Sequence, residues 1–376
     1  MKRFLALLLT VVMVMSLAAC GGKNTKTPTE EKADGEKTGP SFALVVTGYI
    51  GATGCEDLIL EGLQSFCDEN NGSVNVIELN YDTSLYENAV SDACKQGDYD
   101  VILAGYFDLS ESVAKAAEAY PDQKIILYDA QMDYSDGKFK NVKSLLEMQN
   151  EGSFLAGALA ALLTTEAGVE GINEEKIVGW TGAIENPVLN DYLIGYIQGV
   201  KYVDPSIEVL YSWVGSFSDT AIAKEMALTQ FQRGADISYA CCSAAGVGVA
   251  EAAAETGGYS IDVNVDVAMQ LIDSNPDVAV HVLTSVEKNY AVLIRELLDQ
   301  YAAGTLEWGT ISYGTVANGG MILSDNEVFR GIVPDAVYEE YAKIEKDLID
   351  GKIKVDSAIG TSAEIVDGWK AQASGT

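Results

Sequence analysis

Short apolar runs rich in Val and Ile, at 42–46, 74–79, 101–105 and 124–128, are separated by helical patterns at about 55–70, 84–97 and 109–120. Strand–helix alternation with buried strands calls for a parallel sheet covered by helices on both faces. The rhythm starts again after a long helical pattern at about 150–165. Runs at 177–180, 208–214, 237–241 and 259–263 then alternate with helical patterns at 188–202, 219–233 and 245–256. A run at 278–283, a helix at about 287–303, a strand pair around 311–323 and a helix at about 335–350 complete the chain and read as a segment crossing back between the halves. The expected class is α/β, with two doubly wound parallel-sheet lobes joined by a hinge. Residues 41–150, with part of 280–310, form the first lobe, and 151–280, with part of 311–376, form the second. A span of this length is too long for one small core and suits two.

The amino-terminal segment sets the expected compartment. Met1-Lys2-Arg3, an uncharged run from Phe4 to Ala19 and the small residues before Cys20 have the parts of a secretory leader, residues 1–19. The uncharged run falls short of the roughly 20 residues that cross a bilayer. A Cys directly after the leader resembles the bacterial lipobox, so the mature chain is expected to begin at a lipidated Cys20 on the extracytoplasmic face of the cell membrane. Residues 20–40 carry no aromatic or β-branched aliphatic side chain to bury and read as an unfolded tether. Such a protein is anchored to a membrane without spanning it.

With 24 Lys and Arg against 56 Asp and Glu, the chain has a formal net charge of −32. Nucleic acid is therefore not an expected partner, because phosphate binding needs a basic footprint. If Cys20 is lipidated, five cysteines remain, an odd set that cannot be fully paired within the chain, and no spacing suits zinc. The single histidine, His281, lies in an apolar run and reads as a hydrogen-bonded core residue. There is no Gly-x-Ser-x-Gly elbow, no P-loop and no His-Glu-x-x-His helix. Neither catalysis nor a cofactor or metal is expected.

Ligands of open parallel sheets lie beyond the carboxyl ends of the strands. The turns after the strands carry Thr47-Gly48-Tyr49, Tyr106-Phe107-Asp108, Asp129-Ala130-Gln131, Trp213 to Phe217, Ser243 to Gly246 and Asn264-Val265-Asp266. Aromatic, small and hydrogen-bonding residues recur there, as a site for a flat polar molecule requires. Helix capping and tight turns explain the same residue types equally well.

Several ordered motifs resemble the BMP family of substrate-binding lipoproteins, the purine nucleoside receptor group. They are Glu151-Gly152-Ser153-Phe154-Leu155-Ala156-Gly157, Val178-Gly179-Trp180-Thr181-Gly182 through Pro187, Val214-Gly215-Ser216-Phe217 with Asp219, Gly234-Ala235-Asp236, Gly246-Val247-Gly248-Val249 and Val282-Leu283-Thr284-Ser285 with Lys288. The resemblance covers about residues 42 to 330. It implies a two-lobed type I periplasmic-binding fold that captures a nucleoside for an ABC permease. By position, it places stacking near Trp213 and Phe217, the ribose-facing turn at Asn264 and Asp266, and Lys288 in the same cleft. Tyr49, Glu56, Tyr106, Asp129 and Gly246 complete the expected ligand-binding set. Two departures are evident: Ala52-Thr53-Gly54-Cys55-Glu56 stands where relatives carry Asp-Lys-Ser-Phe-Asn, and the Gly-Val-Asp-Ser-Asp turn reads Asp262 to Asp266 with Asn264 for a carboxylate. Tyr49 or Tyr106 can supply the lost aromatic. Another small polar solute such as a sugar, and a sensor that signals to a membrane partner, remain alternatives.

Overall fold

Burial of the strands on both faces is complete in the centre of each sheet. Leu44, Val45, Ile102, Leu103, Ile126 and Leu127 are wholly inaccessible to solvent, as are Val178, Trp180, Ile237 and Ile261. The structure, a computed structural model, describes residues 38–51, 55–173 and 175–375. The leader, Cys20 and most of the tether expected from the sequence lie outside the described residues. From Thr38 onward the chain forms one compact unit.

Twelve strands are described: β1 (Ser41–Val46), β2 (Ser73–Glu78), β3 (Val101–Gly105), β4 (Lys124–Tyr128), β5 (Val142–Glu147), β6 (Ile177–Gly182), β7 (Glu208–Trp213), β8 (Ala235–Cys241), β9 (Tyr259–Asn264), β10 (Val282–Lys288), β11 (Thr310–Gly314) and β12 (Met321–Leu323). They form two six-stranded sheets, ordered β11-β5-β4-β3-β1-β2 and β12-β10-β9-β8-β6-β7. The first is parallel throughout. The second is parallel except for β12, which runs against β10.

Three departures from the sequence expectation have physical causes. Strand β5 is absent from that expectation, because Lys143 and Ser144 break its apolar run. Both are nevertheless buried, with Lys143 Nζ donating to Thr310 Oγ1 at 2.7 Å and Ser144 Oγ accepting the Met132 N–H at 3.1 Å. The expected strand at 278–283 begins later: Pro276 starts the short helix Pro276–Ala279, and β10 runs on to Lys288. His281 therefore sits before the strand, its Nδ1 2.8 Å from the Gly258 carbonyl. The strand pair around 311–323 is divided, since β11 extends the first sheet and β12 the second.

The chain passes between the sheets three times, at 147–149, 288–290 and 314–321. These passages lie side by side. Met148 N–H donates to the Gly314 carbonyl at 2.8 Å, and Asn289 N–H to the Gly320 carbonyl at 2.9 Å. Gly320 allows the close approach, because a Cβ there would lie 2.6 Å from Gly314 Cα. Beyond the first passage, helix Gln149–Thr164 packs against helix Pro187–Val203 through Gly157, Gly195 and Gly199, whose missing Cβ atoms would fall 2.0–2.3 Å from backbone oxygens of the facing helix. The carboxyl-terminal segment is fastened to the same pair. The buried Asp191 carboxylate accepts from Gln149 Nε2 at 2.8 Å and from Ser357 Oγ and Ala358 N–H at 2.7 Å each. Among the described residues no helix is long and apolar enough to cross a membrane.

Candidate functional site

Backbone strain marks the carboxyl ends of the strands. Asn80 and Tyr81 after β2, Tyr106 after β3, Asp129 after β4, Ser243 after β8 and Asn264 at the end of β9 all have φ between 51° and 75°. L-residues rarely adopt that region, and each such residue costs on the order of 1–3 kcal/mol unless its surroundings enforce it. The other described non-glycine residues with positive φ, Asn71, Phe139 and Lys176, lie at the amino-terminal side of strands. At the carboxyl ends the strained positions hold aromatic, carboxylate, hydroxyl and amide side chains, which turns a steric cost into an orientation of polar groups.

The two sheets meet at Lys288 and Asp129. Lys288 ends β10 in the second sheet, Asp129 comes directly after β4 in the first, and their Nζ and Oδ1 atoms are 2.6 Å apart. Lys288 is 4 % exposed. Burial disfavours its charge, but Asp129 and Glu147 outweigh that penalty and hold the ammonium pKa above its ordinary value. Glu147, the last residue of β5, is 1 % exposed, and neither of its carboxylate oxygens has a hydrogen-bond partner. Burial pushes its pKa well up, Asp129 adds to the rise, and Lys288 only partly opposes it. The Tyr290 hydroxyl is buried beside it and favours its ionised form.

A second carboxylate lies in the first turn of helix Cys55–Asn70. Glu56 is 6 % exposed. Burial raises its pKa, while its own backbone N–H and the Tyr106 hydroxyl stabilise the ionised form and Asp129 works against it. Tyr106 packs edge-to-face on Tyr128 at 5.6 Å, and a Cβ on Gly105 would strike the Tyr128 ring, so this aromatic corner needs a glycine. Tyr49 and Tyr81 make a second edge-to-face pair at 6.1 Å. Cys55 faces the same cluster, but burial lifts its thiol far above the ordinary value, so it is a packed thiol and not a thiolate nucleophile.

The expected ligand-binding residues are thus distributed unevenly. Glu56, Tyr106, Asp129 and Lys288 come together with Cys55, Glu147 and Tyr290. Tyr49 stands at the rim, about half exposed. On the second sheet, Trp213 packs edge-to-face on the wholly buried Trp180 at 5.0 Å, and Phe217 is 45 % exposed. Gly246 opens helix Gly246–Thr256 next to Asp262, whose carboxylate would lie 3.2 Å from a Cβ at that position. Asp262 is itself raised to about 7 by burial. Asn264 occupies its strained turn. The Asp266 carboxylate is engaged as the cap of helix Val267–Leu271, accepting the Met269 N–H at 3.1 Å and the Asn326 amide at 2.9 and 3.0 Å. Glu147, Tyr81 and Tyr290 are absent from the sequence-derived set. Tyr81 lies just past a strand, a signal the sequence does carry, whereas Glu147 closes the one strand whose polar residues conceal it. Among the described residues no group of three or more His, Cys, Asp or Glu is placed to hold a metal ion.

Two doubly wound sheets that meet at their strand ends, joined by three adjacent passages and lined by polar and aromatic groups, define a solute-binding protein of the type I periplasmic fold. The sequence matches the Bmp family, described as ABC transporter substrate-binding protein PnrA-like, over residues 40–358, and the chain belongs to that family. It is 29 % identical over 316 residues to the ABC transporter nucleoside-binding protein BmpA of Lactococcus lactis, a match that covers 79 % of this chain and 83 % of that one. An uncharacterized lipoprotein of Pyrococcus abyssi is 23 % identical over 322 residues, covering 82 % of this chain and 74 % of that one. The solved structure of an ABC transporter solute-binding protein from Aeropyrum pernix superposes with a TM-score of 0.70 at 20 % identity, covering 89 % of this chain and 98 % of that one.

The unpartnered Glu147 gives a pH signature. An acid whose pKa is raised on folding holds more protons in the native than in the unfolded state, so stability falls as pH rises from the ordinary carboxylate value toward the raised one. Glu147→Gln cannot ionise. Urea unfolding should therefore show the variant about equal to the parent near pH 5 and about 1–3 kcal/mol more stable near pH 8. Parallel pH profiles would show that Glu147 carries no such penalty.

Proposed function

We propose that this chain is a membrane-anchored extracytoplasmic receptor that captures a purine nucleoside and presents it to an ABC permease. The observation that carries the reading is the strand-end cluster itself, where Glu56, Tyr106, Glu147 and Tyr290 gather at the Lys288–Asp129 pair that links the two sheets, within a chain of the Bmp family. Tyrosine rings suit a planar base, and carboxylate and amide groups suit hydroxyl and amino donors. The nucleoside-binding name of the Lactococcus relative supports the same ligand class. Substrate binding is the role the family description gives, and the buried Cys55 thiol offers no activated nucleophile.

The working parts are two lobes. The first comprises β1–β5 and β11, and the second β6–β10 and β12, a grouping that supports a division along 41–150 and 151–280 with the segment after 280 shared between them. Ligand binds one lobe and the other closes on it by bending at the three passages, to the extent that the closed state makes better contacts. The permease reads the closed form. Tyr49, Tyr106 and Phe217 supply the aromatic faces. Glu56, Asp129, Asn264 and Lys288 supply the polar contacts, while Trp213 supports the wall from behind.

A purine nucleoside at about 100 times its dissociation constant should stabilise the fold by about 2.7 kcal/mol, read as a rise in thermal midpoint. A shift with a pentose or hexose and none with any nucleoside would replace the ligand class while leaving the receptor role intact. For the anchor, Cys20→Ala should move the protein from the membrane to the soluble fraction and abolish fatty-acid labelling; continued labelling of the variant would refute attachment through Cys20.

A further inference from the structure

The turns that line the cleft are short of cations. Residues 47–51, 79–88, 105–112, 129–137, 183–190, 213–222, 242–248, 264–272 and 315–320 contain no Lys or Arg. Two buried cations reach these turns from elsewhere, and both are committed: Lys288 to Asp129 at 2.6 Å, and Lys370 to Glu185. Glu56 is in a different position. It is nearly as buried as Lys288, it lies among Tyr81, Tyr106 and Asp129, and no cation among the described residues pairs with it. A carboxylate taken out of water without a counter-charge is costly unless hydrogen-bond donors surround it. The donors at hand are its own backbone N–H and the Tyr106 hydroxyl.

An ionised carboxylate only accepts, and it presents two oxygens side by side. The ligand feature that suits it is a planar pair of parallel N–H donors, which would contribute two charge-assisted hydrogen bonds in one plane. The aromatic rings flanking Glu56 favour a base edge over a sugar. Among purines the pairing is selective. Guanine offers N1–H and the 2-amino group as adjacent donors, hypoxanthine offers N1–H alone, and adenine turns a lone pair at N1 toward the carboxylate. We propose that Glu56 is the specificity-determining residue of this receptor and accepts the N1–H and 2-amino donors of a guanine base, so that guanosine is preferred over inosine and adenosine. The inference rests on the nucleoside reading above.

Calorimetric titration of the intact protein with guanosine, 2′-deoxyguanosine, inosine and adenosine tests it. The parent should bind guanosine at least about tenfold more tightly than adenosine, with inosine between. Glu56→Gln should weaken guanosine and 2′-deoxyguanosine alike by about tenfold or more, and adenosine by less than about threefold. Equal affinity of the parent for guanosine and adenosine overturns the proposal without any variant, while the nucleoside reading survives. A Glu56→Gln loss that is shared by all ribosides and vanishes for 2′-deoxyguanosine also overturns it, by placing Glu56 on the ribose. Absence of binding to all four ligands by the parent overturns both the proposal and the reading beneath it.

Discussion

The ion pair between Lys288 and Asp129 is the contact on which the arrangement of the site depends. One partner ends a strand of the second sheet and the other comes directly after a strand of the first, so the pair fixes the relation of the two sets of strand ends. Two charges buried together gain little net stability, because desolvation consumes most of their attraction, yet removal of either partner leaves a buried charge at a cost of about 3–5 kcal/mol. The pair therefore acts as a positional constraint more than as a source of stability. It also commits Lys288, so that Glu56 is left without a cation partner among the described residues and the cleft is biased toward ligands that donate hydrogen bonds.

The second constraint is backbone strain at the strand ends. Tyr106 and Asp129 begin their turns in the left-handed region, as do Ser243 and Asn264 across the cleft. On the first sheet two of the strained residues are held by neighbouring structure: Tyr106 by the helix Tyr106–Ala119 and its contact with Tyr128, and Asp129 by Lys288. Parallel sheets buried on both faces supply the rigidity that tolerates such positions. The passages at 147–149, 288–290 and 314–321 are built differently, from backbone hydrogen bonds and closely apposed glycines, which leaves them the natural place for bending.

The central strands β1, β3 and β4 are legible in the sequence because burial on both faces writes apolar runs, whereas the edge strands β2 and β7 are partly exposed and are marked by Val, Ile, Leu and aromatic residues among polar ones. Strand β5 is not legible, since Lys143 and Ser144 find buried hydrogen-bond partners that only the fold provides. The division of β11 from β12 is equally invisible, because local pattern does not say which sheet a strand joins. Residue types at strand ends point to Tyr106, Asp129 and Lys288, but nothing in the sequence pairs Lys288 with an aspartate 159 positions away. Asp266 illustrates the opposite limit: its carboxylate is occupied by a helix cap and by Asn326, a use that residue type alone does not separate from ligand binding.

In this arrangement the ligand sits between the strand ends around Lys288 and Asp129, and the lobes close over it. Hydrogen–deuterium exchange with and without a saturating purine nucleoside addresses both points directly, because closure buries and orders specific backbone segments. Slowed exchange is expected at 47–50, 105–108, 129–132, 213–217, 243–246 and 264–266, together with the three passages between the sheets. Protection confined to the outer groove between helices Cys55–Asn70 and Tyr290–Ala302, around Arg295, with the strand ends unchanged, would contradict this placement of the ligand.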